Sequence, residues 1–391
     1  MKRICLLGAS GSIGVQTLDV IRKNPNDFVL TSFSVGHKTR HIAPILKKHQ
    51  EVSHVYLIDN KKKKYYQNRY PNITFLSEED GLEKIIYLSN NDMVVNALVG
   101  FAGLVPSIVA LEHNKLLALA NKESLVVGGE LINNLLKEGK GKLYPIDSEH
   151  SALWKCLKVD NQNVKRLVLT ASGGAFRKLS REELKNVTPE DALKHPTWNM
   201  GAKITIDCAT MMNKTFELIE AYHLFGFKSD KLAVQLHDES YLHSFVEYKN
   251  GLMRGEMNKP DMRNPIKFAL YEGLIPFDTQ TFYSLDELKG LHFHDFSLER
   301  YPIISLAKKV IDVGGSLGAI INASNEVVVN AFLNHKIAFL DIETIINQVV
   351  KRTEVIKHPT LEELIEVDQK VRKLTMEYVK IYHRKFEGRK N

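Results

Sequence analysis

The chain has 391 residues, of which 44% are hydrophobic and 25% charged, enough for more than one core and typical of a globular protein. Its net charge of +7 suits anionic ligands, yet the basic residues are spread along the chain without interleaved aromatics, which argues against nucleic acid as the partner. Cys5, Cys156 and Cys208 are odd in number and far apart, Met1-Lys2-Arg3 leads straight into a strand with no signal-peptide core, and no apolar run nears the roughly 18 residues of a membrane span; these features exclude a disulfide framework and a zinc ribbon and place the chain in the cytoplasm, off the membrane.

Ile4 to Leu7 reads as a buried strand that runs directly into Gly8-Ala9-Ser10-Gly11-Ser12-Ile13-Gly14. An amphipathic pattern through Leu18 and Ile21 then continues until Pro25 stops it. Strand, glycine turn and helix in that order let backbone approach a pyrophosphate at a helix N-terminus, although the G-x-x-G-x-x-G spacing also fits a tight turn without ligand. The next strand, Phe28 to Val35, is followed by Gly36-His37-Lys38-Thr39-Arg40 and carries no acid for a ribose diol. These residues favour a 2′-phosphate, hence NADP, or else are exposed charges opening the next helix. The run Lys61 to Lys64 reads as a solvated loop.

Strands over Val52 to Ile58, Asp92 to Val99 and Leu116 to Ala120 alternate with helices, in doubly wound fashion. The last of them ends at Asn121-Lys122-Glu123-Ser124, at the carboxyl edge where ligands gather, which makes Lys122 a catalytic candidate. Gly141 to Tyr144 leads to Asp147-Ser148-Glu149, two carboxylates at i and i+2 that form half of a hard-cation site or an exposed acidic turn. Downstream, Asn213, Lys214 and Glu217 open a helix, and i,i+4 spacing places Asn213 and Glu217 on one face. Glu217 is then a third oxygen ligand, and oxygen-only ligation favours Mg2+ or Mn2+ over zinc.

A strand over Val164 to Thr170 opens onto Ser172-Gly173-Gly174, which suits an anion nest or an ordinary turn. Residues near 176–203 lose strand character and carry His195-Pro196-Thr197-Trp198-Asn199-Met200-Gly201, with the makings of a lid in which His195 bonds phosphate and Trp198 covers substrate; packing of Trp198 in a core fits equally. Cys208 has no paired base and reads as a small side chain, not a nucleophile. His237, His243, His292 and His294 read as structural or exposed, and 272–300 as a linker. From Pro302 a small helical bundle follows, with Asp341 as an N-cap and Thr360-x-x-Glu363 as a capping box.

Taken together, Gly8 to Gly14, Ala120 to Ser124, Asp147 to Ala152, Ala171 to Gly174, His195-Pro196 with Trp198 to Gly201, Met211 to Lys214, Lys259 to Arg263 and Asn322 to Glu326 closely resemble, in order and spacing, the 1-deoxy-D-xylulose 5-phosphate reductoisomerase family. The resemblance implies an α/β protein: an N-terminal Rossmann-like doubly wound parallel sheet that binds NADPH (1–146), a central α+β catalytic domain (147–271), the linker, and a C-terminal helical bundle (301–391). It implies NADPH-dependent rearrangement and reduction of 1-deoxy-D-xylulose 5-phosphate to 2-C-methyl-D-erythritol 4-phosphate, in non-mevalonate isoprenoid biosynthesis, by a homodimer. Asp147, Glu149 and Glu217 resemble the metal ligands, with Lys122 and Glu149 as the catalytic residues. Ser148, Ser172, His195, Trp198, Cys208, Asn213, Lys214 and Met262 resemble substrate contacts. Gly8, Ser10, Gly11, Ser12, Ile13, Gly14, Gly36, His37, Lys38, Asn121, Glu123 and Gly201 resemble cofactor contacts.

The chain departs from the family's pattern at Cys208, where a serine is usual, at Thr215-Phe216 for Gly-Leu, at Ala175 for proline, at Asp238-Glu239 for Pro-Gln and at Asn258 for glycine. Competing readings are another NADP-dependent dehydrogenase with structural carboxylates, and a nucleotide-sensing regulator without turnover.

Overall fold

The computed structural model describes residues 1–194, 200–274 and 290–388. The opening apolar run forms β1 (Lys2–Leu7), with Ile4 to Leu7 fully buried, and the glycine turn hands it to α1 (Ser12–Lys23). The same step repeats through β2 (Phe28–Val35), α2 (Ile42–Lys48), β3 (His54–Leu57), α3 (Asn60–Arg69), β4 (Thr74–Leu76), α4 (Lys84–Leu88), β5 (Met93–Asn96), α5 (Leu104–Glu112), β6 (Leu116–Leu119), α6 (Lys122–Lys137) and β7 (Lys142–Pro145). All neighbouring strands pair in parallel, in the order β4-β3-β2-β1-β5-β6-β7. Strand order reverses between β1 and β5, so the crevice that accepts a ligand lies beyond their carboxyl ends, where the glycine turn sits.

Lys61 to Lys64 lie in a helix, contrary to the loop expected from their charge. The Asp59 carboxylate accepts from the Lys61 and Lys62 amides at 2.9 and 3.2 Å, and Lys63 pairs with Asp80 at 2.5 Å. Capping and one cross-link offset the repulsion of the run.

Beyond β7 come α7 (Ser148–Val159), β8 (Val164–Ala171), α8 (Pro189–Ala192), α9 (Ala202–Thr210), α10 (Met212–Phe225), β9 (Leu232–His237), β10 (Leu242–Tyr248), β11 (Met253–Met257) and α11 (Arg263–Leu270). After these follow β12 (Phe293–His294), α12 (Ser305–Val313), α13 (Leu317–Leu333), α14 (Phe339–Arg352) and α15 (Leu361–Gly388). The second sheet is mixed, in the order β11-β10-β8-β9-β12, with β8 and β9 parallel and the other pairs antiparallel. Within the expected linker, Phe293 and His294 pair with His237 and Leu236 as an edge strand; this part is not a linker. Residues 275–289 of it lie outside the described residues.

Packing divides the chain into two units: Met1–Ser124, Leu131–Ser151 and a stretch from Asp261; and Leu125–Glu130, Ala152–Pro260 and the C-terminal helices. The helical bundle therefore belongs with the mixed sheet instead of standing alone, and α11 belongs with the parallel sheet. In the first unit, Lys2 reaches the Leu270 carbonyl at 2.6 Å and Glu272 at 2.8 Å, and the ammonium holds the Glu272 carboxyl below its usual range. In the second, a Cβ on Gly318 of α13 would lie 1.8 Å from the Val126 carbonyl oxygen, and one on Gly129 would meet the His223 ring at 2.5 Å. The first contact ties the middle of α6 to the bundle, and the second ties it to α10.

The capping box at Thr360 and Glu363 forms, with bonds of 2.8 and 3.2 Å. Asp341 is not the N-cap of α14 but its third residue, accepting from the Ala338 amide at 2.9 Å, because the helix starts earlier, at Phe339. The Cys5 and Cys156 thiols are buried, and burial pushes them up to about 12 and about 11, so they stay protonated packing groups.

Candidate active site

In the first unit the glycine turn is a cradle with no room for side chains at Gly8 and Gly14. Gly8 has φ +85°, and a Cβ there would lie 2.5 Å from the Ala97 carbonyl oxygen; one on Gly14 would lie 2.2 Å from the Gly8 oxygen. The Gly8 amide donates to Ser34 Oγ at 2.9 Å, and Gly11 caps α1 with no side chain of its own. Ser10, Ser12 and Ile13 remain partly or fully exposed beside the helix N-terminus, and His37 and Lys38 are exposed just after β2 and Gly36. That arrangement fits a dinucleotide: main-chain N–H groups at a helix start for the pyrophosphate, and cations after the second strand for a 2′-phosphate.

Asn121 caps α6 from within the fold. Its Oδ1 accepts from the Ser124 amide at 3.0 Å, while its Nδ2 donates to the Leu98 and Gly100 carbonyls at 3.1 and 3.0 Å and to Glu123 Oε2 at 3.1 Å. The side chain is taken up by structure, a role that the sequence did not reveal. The next residue, Lys122, is 7% exposed, and its Nζ lies 2.5 Å from Asp147 Oδ2. Asp147 stands where β7 gives way to α7, and Glu149 follows in the first helical turn, so the i,i+2 pair spans a strand-to-helix corner. Ser148 donates through its amide to Asp147 Oδ1 at 3.0 Å and through its hydroxyl to Glu149 Oε2 at 2.6 Å. His150, which the sequence did not single out, is fully buried, with Nδ1 3.8 Å from Asp147 Oδ2. Met262 precedes α11 in this same unit.

The second unit carries the other candidates. Ser172 Oγ accepts from the Gly174 amide at 3.3 Å, and Gly173 and Gly174 both take left-handed backbone, φ +77° and +66°. A Cβ on Gly174 would lie 2.7 Å from Ala209 N and Cα and 2.8 Å from the Cys208 carbonyl carbon, so the turn rests on the end of the helix that bears Cys208. Met211, at φ +67°, joins α9 to α10, whose first turns carry Asn213, Lys214 and Glu217. The Glu217 carboxylate, 1% exposed, accepts from Asn213 Nδ2 and Lys214 Nζ. The expected shared face is real, but both donors point at Glu217. Over the Gly174 turn lies a recess of 540 Å³ lined in part by Arg177, Lys178 and Lys194. His195 and Trp198 lie outside the described residues, and Gly201 is an exposed N-cap of α9.

Two departures from the family's pattern find partners. The Thr215 hydroxyl donates to the Met211 carbonyl at 3.1 Å, and the Phe216 ring lies under Lys203 Nζ at 5.5 Å. His237 is buried, accepting from the Leu242 amide at 3.2 Å and stacking on Phe293, while His292 and His294 are exposed beside Glu239 and Asp238. Among the described residues they serve the edge of the mixed sheet, as the sequence implied.

The donor set fits the groups implied. Asp147, Glu149 and Glu217 offer only carboxylate oxygens, the chemistry of a hard divalent cation, and the glycine cradle fits a dinucleotide. A doubly wound sheet whose glycine cradle fits a dinucleotide, joined to a unit with a serine-glycine turn that suits an anion and a buried Lys-Glu pair, defines the class: an NADP-dependent enzyme acting on an anionic substrate.

Comparison with known proteins sharpens that class. Residues 4–129 match the 1-deoxy-D-xylulose 5-phosphate reductoisomerase family, residues 143–225 the 1-deoxy-D-xylulose 5-phosphate reductoisomerase C-terminal domain, and residues 257–374 the DXP reductoisomerase C-terminal domain. The chain is 41% identical to 1-deoxy-D-xylulose 5-phosphate reductoisomerase 2 of Bacillus thuringiensis subsp. konkukian, covering 97% of this chain and 100% of that one. It is 42% identical to the reductoisomerase of Bacillus cereus, with the same coverage. Among solved structures it is similar to DOX-P reductoisomerase in complex with NADPH, fosmidomycin and magnesium (TM-score 0.90, 32% identity, 97% and 99% of the two chains). It is also similar to the Zymomonas mobilis reductoisomerase in complex with NADPH (TM-score 0.88, 33% identity, 97% and 99%). The chain belongs to the 1-deoxy-D-xylulose 5-phosphate reductoisomerase family.

Proposed function

We infer that this chain carries out the family's reaction: it rearranges 1-deoxy-D-xylulose 5-phosphate and reduces the product to 2-C-methyl-D-erythritol 4-phosphate, using NADPH and a divalent cation, Mg2+ or Mn2+, on the route to isoprenoid precursors. The observation that carries this reading is the match along nearly the whole chain, 41% identity over 97% of it, to a 1-deoxy-D-xylulose 5-phosphate reductoisomerase. Asp147, Glu149 and Glu217 would hold the cation. When bound, the cation supplies Lewis acidity and a template for adjacent substrate oxygens, and NADPH supplies the hydride.

The chain's own residues do the rest. Lys122, buried at the start of α6, offsets negative charge that develops on a substrate oxygen. Glu149, already bonded by the Ser148 hydroxyl, accepts and returns a proton, and Ser148 orients it. Ser172, Cys208, Asn213 and Lys214 take the phosphate, with His195 and Trp198 closing over it; the phosphate's binding energy holds the reacting carbons in place. Gly8 to Gly14, with Ser10, Ser12 and Ile13, cradle the pyrophosphate, His37 and Lys38 take the 2′-phosphate, and Asn121, Glu123 and Gly201 border the nicotinamide end. Met262 approaches the substrate from α11. The family relationship favours a homodimer. The buried reduced thiols and the lack of a membrane-spanning helix among the described residues favour the cytoplasm.

The test follows NADPH oxidation driven by 1-deoxy-D-xylulose 5-phosphate, with and without Mg2+ or Mn2+. Glu217→Gln is expected to lose about 10³-fold in turnover while binding NADPH with wild-type affinity. Full turnover in that variant, or activity indifferent to chelator, overturns the ligand assignment and favours a plain dehydrogenase; no turnover in the wild type favours a regulator.

A further inference from the structure

Asp207 immediately precedes Cys208 on α9 and is only 2% exposed. A buried carboxylate is costly unless its oxygens are met. Two donors meet it from different helices: Lys203 Nζ, one turn back on α9, lies 2.8 Å from Oδ2, and Asn325 Nδ2, on α13, lies 2.8 Å from Oδ1. Asn325 is fully buried, and its amide nitrogen faces a carboxylate, so its orientation is fixed by what it bonds. The same Lys203 lies over the Phe216 ring of α10. The Asp207 carboxylate thus ties the central bundle helix to the last turn of α9, and Lys203 ties that turn to α10.

Among the described residues, the groups assigned above to the phosphate, Ser172, Cys208, Asn213 and Lys214, lie on or against this corner. Gly174 rests on Cys208 and Ala209, and the left-handed joint at Met211 leads within three residues to Asn213 and Lys214. We propose that Asn325 is a positioning residue for the substrate phosphate: through the buried Asp207 it fixes the α9–α10 corner, and with it the distance between the Ser172-Gly173-Gly174 turn and the Asn213-Lys214 pair. The proposal rests on the reading of that corner as the phosphate site. In this role Asn325 acts through Asp207 and not by contact with substrate or cofactor. Its effect falls on binding of the phosphate group, because a corner that drifts by a fraction of an ångström loses charged hydrogen bonds at that end of the substrate.

The experiment is steady-state kinetics on the full chain with Asn325→Leu, which keeps the branch at Cγ and removes the donor. The KM for 1-deoxy-D-xylulose 5-phosphate is expected to rise about tenfold, and the inhibition constant for inorganic phosphate to rise with it, while kcat and the KM for NADPH stay within about twofold. Val329→Ala, a buried cut in the same helix α13, serves as the control: it is expected to lower the melting temperature and leave the KM for the sugar phosphate unchanged. If Asn325→Leu does not fold, Asp207→Asn, which keeps shape and removes the charge on which both donors converge, is expected to give the same split. An unchanged KM in the variant that folds, a fall confined to kcat, or an equal rise in KM for Val329→Ala overturns the proposal while the reaction assignment stands. Failure of wild-type enzyme to oxidise NADPH with this substrate overturns the reaction assignment first, and the proposal with it.

Discussion

Gly14→Ala adds a single methyl group at a position where only backbone surrounds it. The new Cβ would lie 2.2 Å from the Gly8 carbonyl oxygen, 2.7 Å from Ala9 Cα and 2.8 Å from the Ala9 carbonyl carbon, whereas ordinary contact begins at 3.4 Å. No flexible side chain is there to yield, so α1 and the turn have to part by roughly 1 Å, an overpacking that costs about 1–3 kcal/mol. Alanine's better helix propensity returns at most about 1 kcal/mol. The turn and the helix N-terminus are the two parts that grip the pyrophosphate, so their separation shows as NADPH affinity; about 1–3 kcal/mol is roughly a 5- to 150-fold rise in Kd. NADPH fluorescence titration reads that rise, and a thermal melt reads any share taken by stability. Gly11→Ala is the internal contrast: its Cβ meets nothing closer than the Gly8 oxygen at 3.4 Å, so the melting temperature is expected to hold. A Gly14→Ala protein with wild-type Kd and wild-type melting temperature would refute the steric reasoning.

Cys208→Ser replaces a weak thiol donor by a hydroxyl next to the Gly174 turn, and the KM for the sugar phosphate is expected to fall about 3- to 10-fold, read by steady-state kinetics; an unchanged or higher value removes Cys208 from the phosphate site. Burial pushes His223 down to about 4 from 6.5, so the unfolded chain binds the extra proton first: this stability is whole above pH 6.5 and is lost as pH falls toward 4. The contribution is about 2 kcal/mol between pH 7.5 and 5.0, and His223→Phe is expected to flatten the pH dependence of the unfolding free energy, read by urea titration, by that amount.

The parallel sheet, apart from its three-residue edge strand β4, was legible because its strands are buried on both faces: runs such as Ile4 to Leu7 and Met93 to Val95 announce themselves without alternation, and glycine turns punctuate them. The mixed sheet was not, apart from β8. In β11, Met253 and Met257 are exposed and Gly255 interrupts the run, with its absent Cβ 2.6 Å from Leu242 Cδ1, so a strand held by cross-strand packing shows no local pattern. The two-residue β12 depends wholly on pairing with β9. In the site, i,i+4 spacing correctly put Asn213 beside Glu217, because helix geometry is local. Bonds between residues far apart in the chain left no such trace: Lys122 to Asp147 and Asn325 to Asp207 are products of topology, and the sequence offered only the motif around each partner.

Ion pairing also explains how these carboxylates tolerate burial. In one unit Lys122 pairs with Asp147 from far along the chain, and in the other Lys214 pairs with Glu217 one helical turn away, so neither carboxylate is left without a compensating cation. Carboxylate oxygens are the ligands a hard divalent cation takes, and each lysine is already at hand to meet the negative charge of substrate oxygens or phosphate. The pairing that satisfies the demands of folding is therefore the same pairing that equips the site for chemistry. A residue such as Asn325 then has a narrower task, to hold the corner that bears these groups at the spacing the substrate requires.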